Sequence, residues 1–138
     1  MRRHTTLPMV LDEIILDVRS LLRAVSANAL EAFNLKISRV GGLTNARLMR
    51  DLAEDLGLRV TLEDTWGGDV TTAAVAHLAA STRPEHLLTV SFMNDWTNEH
   101  VAGYEPRSAG GVGAAPSGTG LGIEVDLERL GAPLFTAG

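Results

Sequence analysis

The chain has 138 residues, no cysteine and a formal net charge of −5, with 45% hydrophobic and 21% charged residues. Such a composition suits one globular domain with a sizeable core; it excludes a disulfide framework, a zinc–thiolate site and a cysteine nucleophile. The acidic balance argues against a nucleic-acid partner or an anionic membrane surface, and no apolar run approaches the roughly 18 residues that a membrane span needs. Met1-Arg2-Arg3 resembles the start of a signal peptide, but the apolar stretch behind it is short and broken by Asp12-Glu13, so a cytoplasmic protein is expected.

Residues 1–6 read as a disordered start. Four units of one design follow through residue 102, each a short apolar run, a polar or glycine-rich turn and an amphipathic segment. The first is Leu7–Leu11, closed by Asp12-Glu13, with a helix over Asp17–Ala27 that places Leu21, Leu22 and Val25 on one face. The second is Ala32–Ile37, then Val40-Gly41-Gly42 and a helix capped by Thr44, with Leu48, Leu52 and Leu56 four apart and Gly57 as its stop. The third is Arg59–Leu62, then Glu63-Asp64-Thr65-Trp66-Gly67-Gly68 and an alanine-rich helix over Val70–Ala80. The fourth is Leu87–Met93, then Asn94-Asp95-Trp96. Residues 103–138 read as a glycine-rich loop and closing segment with a last strand at Ile123–Val125.

Short strands alternating with helices of this length predict βαβ units and a parallel sheet. Right-handed crossovers place the C-terminal ends of all strands on one edge, the edge where parallel α/β folds bind ligands. Asp12-Glu13, Lys36, Glu63-Asp64 and Asp95-Trp96 all fall there. None of these charges is needed for packing.

Lys36 is the single lysine beside eleven arginines. Arginine serves wherever only a positive charge is wanted, but guanidinium does not release its proton at working pH. An ammonium can be tuned down to act as a base. A lone lysine at a strand end therefore points to acid–base chemistry; a chance surface lysine in an arginine-rich chain is the alternative. With strands in chain order, Asp12 and Lys36 come from neighbouring ends. The pair reads equally as a plain salt bridge or as a Mg²⁺ ligand beside a base whose pKa a nearby cation lowers. His4, His77, His86 and His100 show no ligand-like spacing. Gly67-Gly68 suits a turn or a close backbone approach to a substrate oxygen. Trp66 and Trp96 read as rim packing or as substrate contacts.

Asn34-Leu-Lys36-Ile-Ser-Arg-Val-Gly-Gly-Leu43 resembles the sixth-strand segment of the enolase superfamily, mandelate racemase/muconate lactonizing branch. Leu7-Pro-Met-Val-Leu-Asp12-Glu13 resembles its fifth-strand segment, at matching spacing. Ala115-Pro116-Ser-Gly-Thr-Gly120-Leu-Gly-Ile-Glu-Val-Asp126 resembles its closing segment, with Thr119 where proline is usual. The resemblance implies a partial (β/α)8 barrel, strands five to eight plus the closing segment. It also implies an enzyme that removes the proton α to a carboxylate and holds the product on Mg²⁺. By position, Asp12 would be one of three carboxylate ligands, Glu13 a neighbour of the metal, and Lys36 one of two acid/base lysines. The motifs around Glu63-Asp64 and Asp95-Trp96 resemble the branch that handles proline derivatives, by dehydration or epimerisation. There Asp64 and Trp96, with Glu63 and Asp95, would meet a ring ammonium through charge and a cation–π contact.

A full barrel takes about 250 residues. The capping domain, the partner lysine and two metal ligands of the family fall outside the chain, which is expected to be a fragment inactive alone. An uncovered apolar inner face is expected with it. The alternatives are a split-enzyme subunit, self-associating through the open half-barrel, and a non-catalytic scaffold in which Lys36 and Asp12 are relics.

Overall fold

Four parallel strands run in the order β1-β2-β3-β4, the order of the chain. The computed structural model describes residues 4–136; residues 1–3 of the expected disordered start and residues 137–138 of the closing segment lie outside that range. Strand β1 is Val10–Leu11, β2 Ala32–Lys36, β3 Arg59–Glu63 and β4 Leu87–Val90. Helices α1 (Val18–Ser26), α2 (Leu43–Asp55) and α3 (Asp69–Ala80) join them. Right-handed crossovers between consecutive parallel strands put all three helices on one face of the sheet.

β1 is shorter than the expected Leu7–Leu11, since Pro8 has no N–H to give a ladder. β4 stops at Val90, and Met93–Trp96 forms a 3-10 turn instead of extending it. Ile123–Val125 is irregular chain, not a strand; the only regular turn beyond it among the described residues is the 3-10 turn Leu127–Leu130.

The helices start and stop for local reasons. Asp17 caps α1 through a reciprocal pair with Ser20, which satisfies two orphan amides at once. Thr44 is not the cap of α2: it lies inside the helix, and Gly42 at φ 112 takes that position. α2 ends as expected at Gly57. Its φ of 71 allows the paired bonds from Gly57 N to Glu54 O (3.1 Å) and from Leu58 N to Ala53 O (2.9 Å).

The core lies between helices and sheet. Phe33, Leu35, Val60 and Leu62 pack against Leu21, Met49, Val75 and Leu78. Two leucine faces read from the sequence are displaced. On α1 Leu22 is exposed while Leu21 is buried. On α2 Leu48 and Leu56 are exposed while Ala46, Met49 and Ala53 are buried. Small alanines let α2 approach the sheet closely. Arg50, also buried, reaches the end of α3 through Leu78 O (3.3 Å), Ser81 Oγ (3.1 Å) and Thr82 Oγ1 (2.8 Å). Among the described residues no helix is long and apolar enough to cross a membrane.

Candidate active site

Alternation along the strands sorts chemistry from packing. In β2, Phe33 and Leu35 enter the core, so Asn34 and Lys36 stand on the opposite face. In β3, Val60 and Leu62 enter the core, so Thr61 and Glu63 stand opposite. The parallel register pairs Asn34 with Thr61 and Lys36 with Glu63. The inner face expected to be apolar is therefore polar along its centre: carboxylate, amide and ammonium are aligned toward the C-terminal edge.

Lys36 is the centre of that edge. Its side chain is only 7% exposed, and Nζ lies 2.5 Å from Asp12 Oδ1, 3.1 Å from Glu13 Oε1 and 3.1 Å from Glu63 Oε1. Asp12 and Glu13 follow β1 in a turn held by Ile15 N to Asp12 O (2.9 Å) and anchored by the buried Ile15. Arg39, in the turn after β2, reaches Asp12 (3.3 Å) and Glu13 (3.4 Å). Asn34 donates to Glu63 Oε1 at 3.0 Å. Three carboxylates against two cations leave one formal negative charge in the cluster.

Burial alone would lower the Lys36 pKa, but the hydrogen bonds that its ammonium donates to Asp12, Glu13 and Glu63 outweigh this and hold the pKa above its ordinary value. Burial likewise pushes Asp12 up, and the bond and charge of Lys36 overcome this, leaving its carboxyl below the usual range. The three carboxylates, through hydrogen bonds and charge, favour the protonated lysine. As it stands, Lys36 is a held proton. Acting as a base requires its carboxylate contacts to be given up.

The remaining sequence candidates are placed differently. Asp64 is buried, and its oxygens accept from Ser38 N (3.1 Å), Ser38 Oγ and Thr65 N (2.7 Å). It pins the turn that carries Arg39. Asp95 accepts from Tyr104 Oη (3.0 Å) and Ser108 Oγ, inside the loop after β4. Burial raises its pKa, and the Ser108 and Tyr104 bonds bring it below the ordinary value. Trp66 and Trp96 pair at the rim, 59% and 72% exposed, with ring centroids 6.1 Å apart and planes tilted 57°. Gly67 serves the turn, since a Cβ there would lie 2.4 Å from Thr71 Cβ.

Two features escaped the sequence reading. Arg39 sits within the quoted Lys36 segment, and its spacing of three from Lys36 was the available signal. The second is Asp69, the first residue of α3 and fully buried. It accepts from Asn94 Nδ2 (2.9 Å), Ala102 N (2.8 Å) and His100 Nδ1 (3.1 Å), tying the segment after β4 to α3. Burial raises its pKa, and these three bonds bring it below the ordinary value. A first-turn acid is an ordinary helix start, and nothing local reveals its burial.

Mg²⁺ takes several oxygen ligands in near-octahedral geometry. Among the described residues no three acidic, histidine or cysteine side chains are grouped to hold a metal ion. Asp12, Glu13 and Glu63 converge on an ammonium, not on a shared open point. These residues alone do not form a Mg²⁺ site.

The model of the family described as Enolase C-terminal domain-like matches residues 1–130. The chain is 44% identical over 133 residues to cis-3-hydroxy-L-proline dehydratase of Roseibium aggregatum, covering 96% of this chain and 36% of that protein. A mandelate racemase/muconate lactonizing enzyme structure from Roseovarius nubinhibens ISM superposes with a TM-score of 0.90 at 37% identity, covering 97% of this chain and 36% of that one. A magnesium-complexed enolase superfamily member from the same organism superposes with a TM-score of 0.88 at 34% identity, covering 97% and 37%. The chain thus spans about a third of the length of the curated relatives it matches. Its four parallel units match the C-terminal half-barrel of such domains. The chain belongs to the Enolase C-terminal domain-like family, within the mandelate racemase/muconate lactonizing branch of the enolase superfamily.

Proposed function

We propose that this chain carries one wall of a cytoplasmic enzyme that moves the proton α to a carboxylate, on a hydroxyproline- or proline-betaine-type substrate. The observation that carries the reading is the position of Lys36, the only lysine, at the end of β2 with Nζ bonded to Asp12 at 2.5 Å. The 44% identity to a hydroxyproline dehydratase supports the substrate class.

The chemistry is a proton transfer at Nζ. Acting as a base, neutral Lys36 accepts the α-proton while the C–H electron pair passes into the carboxylate system. Acting as an acid, the ammonium returns a proton to carbon in epimerisation, or to a departing β-hydroxyl in dehydration. The held proton of Lys36 suits the acid half directly. For the base half, substrate or cation must first draw Asp12, Glu13 and Glu63 away. Glu63 and Trp96 would meet the substrate's ring ammonium. Asp64 and Asp95, with their oxygens engaged, would reach the substrate through the loops they hold.

We propose Mg²⁺ as the cofactor, with Asp12 as one ligand and Glu13 beside it; bound, it would stabilise negative charge on the substrate carboxylate. The lack of a three-ligand group among the described residues favours a second element of the reading: this polypeptide turns over only when joined to further ligands and a second acid/base group.

A graft tests this. This chain replaces the matched third of the Roseibium aggregatum dehydratase. Consumption of cis-3-hydroxy-L-proline with Mg²⁺ is expected, and its loss on Lys36→Ala. A folded graft that binds Mg²⁺ yet leaves the substrate and its α-proton untouched would refute the assignment.

A further inference from the structure

Asp95 and Trp96 stand side by side in the 3-10 turn Met93–Trp96 that follows β4. Trp96 has one aromatic neighbour among the described residues, Trp66, in a tilted pair with ring centroids 6.1 Å apart. Aromatic pairs tolerate a range of offsets and tilts, so this contact does not by itself fix where the Trp96 indole stands. Asp95 is held far more tightly. Tyr104 Oη donates to its Oδ1 at 3.0 Å, and Ser108 Oγ donates to its Oδ2. With both carboxylate oxygens engaged, the turn that carries Trp96 is anchored to the loop over residues 104–108.

Tyr104, the one tyrosine of the chain, has a φ of 63. A bulky side chain seldom adopts that left-handed backbone, and the conformation persists only where the surroundings over-determine it. Three contacts do so here. The hydroxyl binds Asp95, the ring stacks on His100 with centroids 4.3 Å apart, and the Arg107 guanidinium lies 6.0 Å from the ring centroid. His100 in turn meets the fully buried Asp69 through Nδ1 at 3.1 Å. The bond to Asp95, with burial second, raises the Tyr104 phenol above its ordinary value, so the hydroxyl remains a donor. A brace thus runs from the first residue of α3 through His100, Tyr104 and Asp95 to the turn of Trp96. Every contact in it is made within this chain.

We propose that Tyr104 is a positioning residue: through its hydroxyl on Asp95 it fixes the Trp96 indole at the rim of the site. Strain kept at a residue that touches none of Asp12, Lys36 and Glu63 is then accounted for, because it holds the phenol against Asp95. What the brace does for the reaction rests on the reading under Proposed function, in which Trp96 meets the ring ammonium of the substrate. On that reading Tyr104 sets the affinity for a cyclic ammonium and leaves proton transfer at Lys36 alone. Its loss then belongs in KM and not in kcat.

Trp66 and Trp96 are the only tryptophans, so tryptophan fluorescence of the 138-residue chain reads the rim directly. Tyr104→Phe removes the hydroxyl and keeps the ring on His100. In that variant acrylamide quenching is expected to rise, and the exciton signal of the indole pair in circular dichroism to fade. The same substitution in an Asp95→Ala background is expected to add nothing further, because the hydroxyl acts through that carboxylate. Tyr104→Gly suits the left-handed backbone but lacks the tether, and should loosen the rim as Tyr104→Phe does. Unchanged tryptophan signals in folded Tyr104→Phe or Tyr104→Gly, or a full additional change in the Asp95→Ala background, would overturn the brace. In the grafted dehydratase, KM for cis-3-hydroxy-L-proline is expected to rise about 5–10-fold in Tyr104→Phe, the size of one lost hydrogen bond, with kcat unchanged. Loosened tryptophans with an unchanged KM would uphold the brace and refute instead the contact of Trp96 with substrate.

Discussion

Two carboxylate centres in this molecule are built on opposite principles. Asp69 is fully buried and meets an amide, a backbone N–H and an imidazole. Asp12 is part-exposed and meets an ammonium and a guanidinium, with two more carboxylates crowding the same lysine. The first centre has nearly every bond made within the protein and no solvent to share. It locks the segment after β4 onto α3. The second carries surplus negative charge and faces the edge of the sheet, so an arriving cation or ligand can redistribute its bonds. Burial with matched donors yields a fixed joint; charge left partly open yields a site.

Breaking the joint should have the larger effect on folding. Asp69→Ala strands the buried Ala102 N–H and leaves the Asn94 amide only its bond to Pro106 O, and we expect a loss of about 3–5 kcal/mol in urea unfolding. Asn94 already carries one buried oxygen without a hydrogen-bond partner in the structure, so the network has little to fall back on. Asp12→Ala removes a part-exposed ion pair, for which about 0–1 kcal/mol is expected in the same measurement. Equal losses at the two positions would erase the distinction.

Between these extremes lies Gly67, beside Trp66 at the rim. A methyl group there meets Thr71 Cβ at 2.4 Å, and Gly67→Ala is expected to cost about 1–3 kcal/mol through forced backbone shift. Loss of the Trp66–Trp96 contact, read by tryptophan fluorescence, should accompany it.

pH provides a finer test. Asp69 and Asp12 are both held below their ordinary 3.8. A depressed carboxyl adds stability above its unfolded value, lost as pH falls through the folded one. The urea midpoint should therefore drop below pH 3.8, and Asp69→Asn and Asp12→Asn should each flatten that drop. Lys36 works in the other direction. Raised above its ordinary 10.5, it adds stability below that value, lost only as pH climbs through its folded pKa.

Much of the fold was legible because β2, β3 and the alanine-rich α3 combine clear strand or helix patterns with clear stops. The strand order was a supposition of the sequence reading, and the sheet has it: β1-β2-β3-β4. What was not legible depends on neighbours distant in sequence. The Leu48–Leu52–Leu56 spacing marked a plausible helical stripe, yet the buried stripe is Ala46–Met49–Ala53, because alanine permits close approach and Arg50 reaches the end of α3. Met49→Ala should accordingly cost about 2–5 kcal/mol, and Leu48→Ala within about 0.5 kcal/mol. At the site, Lys36 and Asp12 were legible as strand ends in a βα pattern. The turning of Asp64 toward Ser38, and of Asp95 toward Tyr104 and Ser108, was not, since it depends on loop paths. The contact of Glu63 with the ammonium was not legible for the same reason: Glu63 reaches it only through the β2–β3 register.

The central claim is that Lys36 exchanges a proton and is not merely a positive charge. Lys36→Arg keeps the charge, and the hydrogen bonds to Asp12 and Glu63 are within its reach, but guanidinium does not give up its proton at working pH. In the grafted enzyme in D₂O, exchange of the substrate α-proton, followed by NMR, is expected to fall by about 10²–10⁴-fold in Lys36→Arg, with the melting temperature little changed. Exchange retained at the parent rate in a folded Lys36→Arg protein would contradict the account.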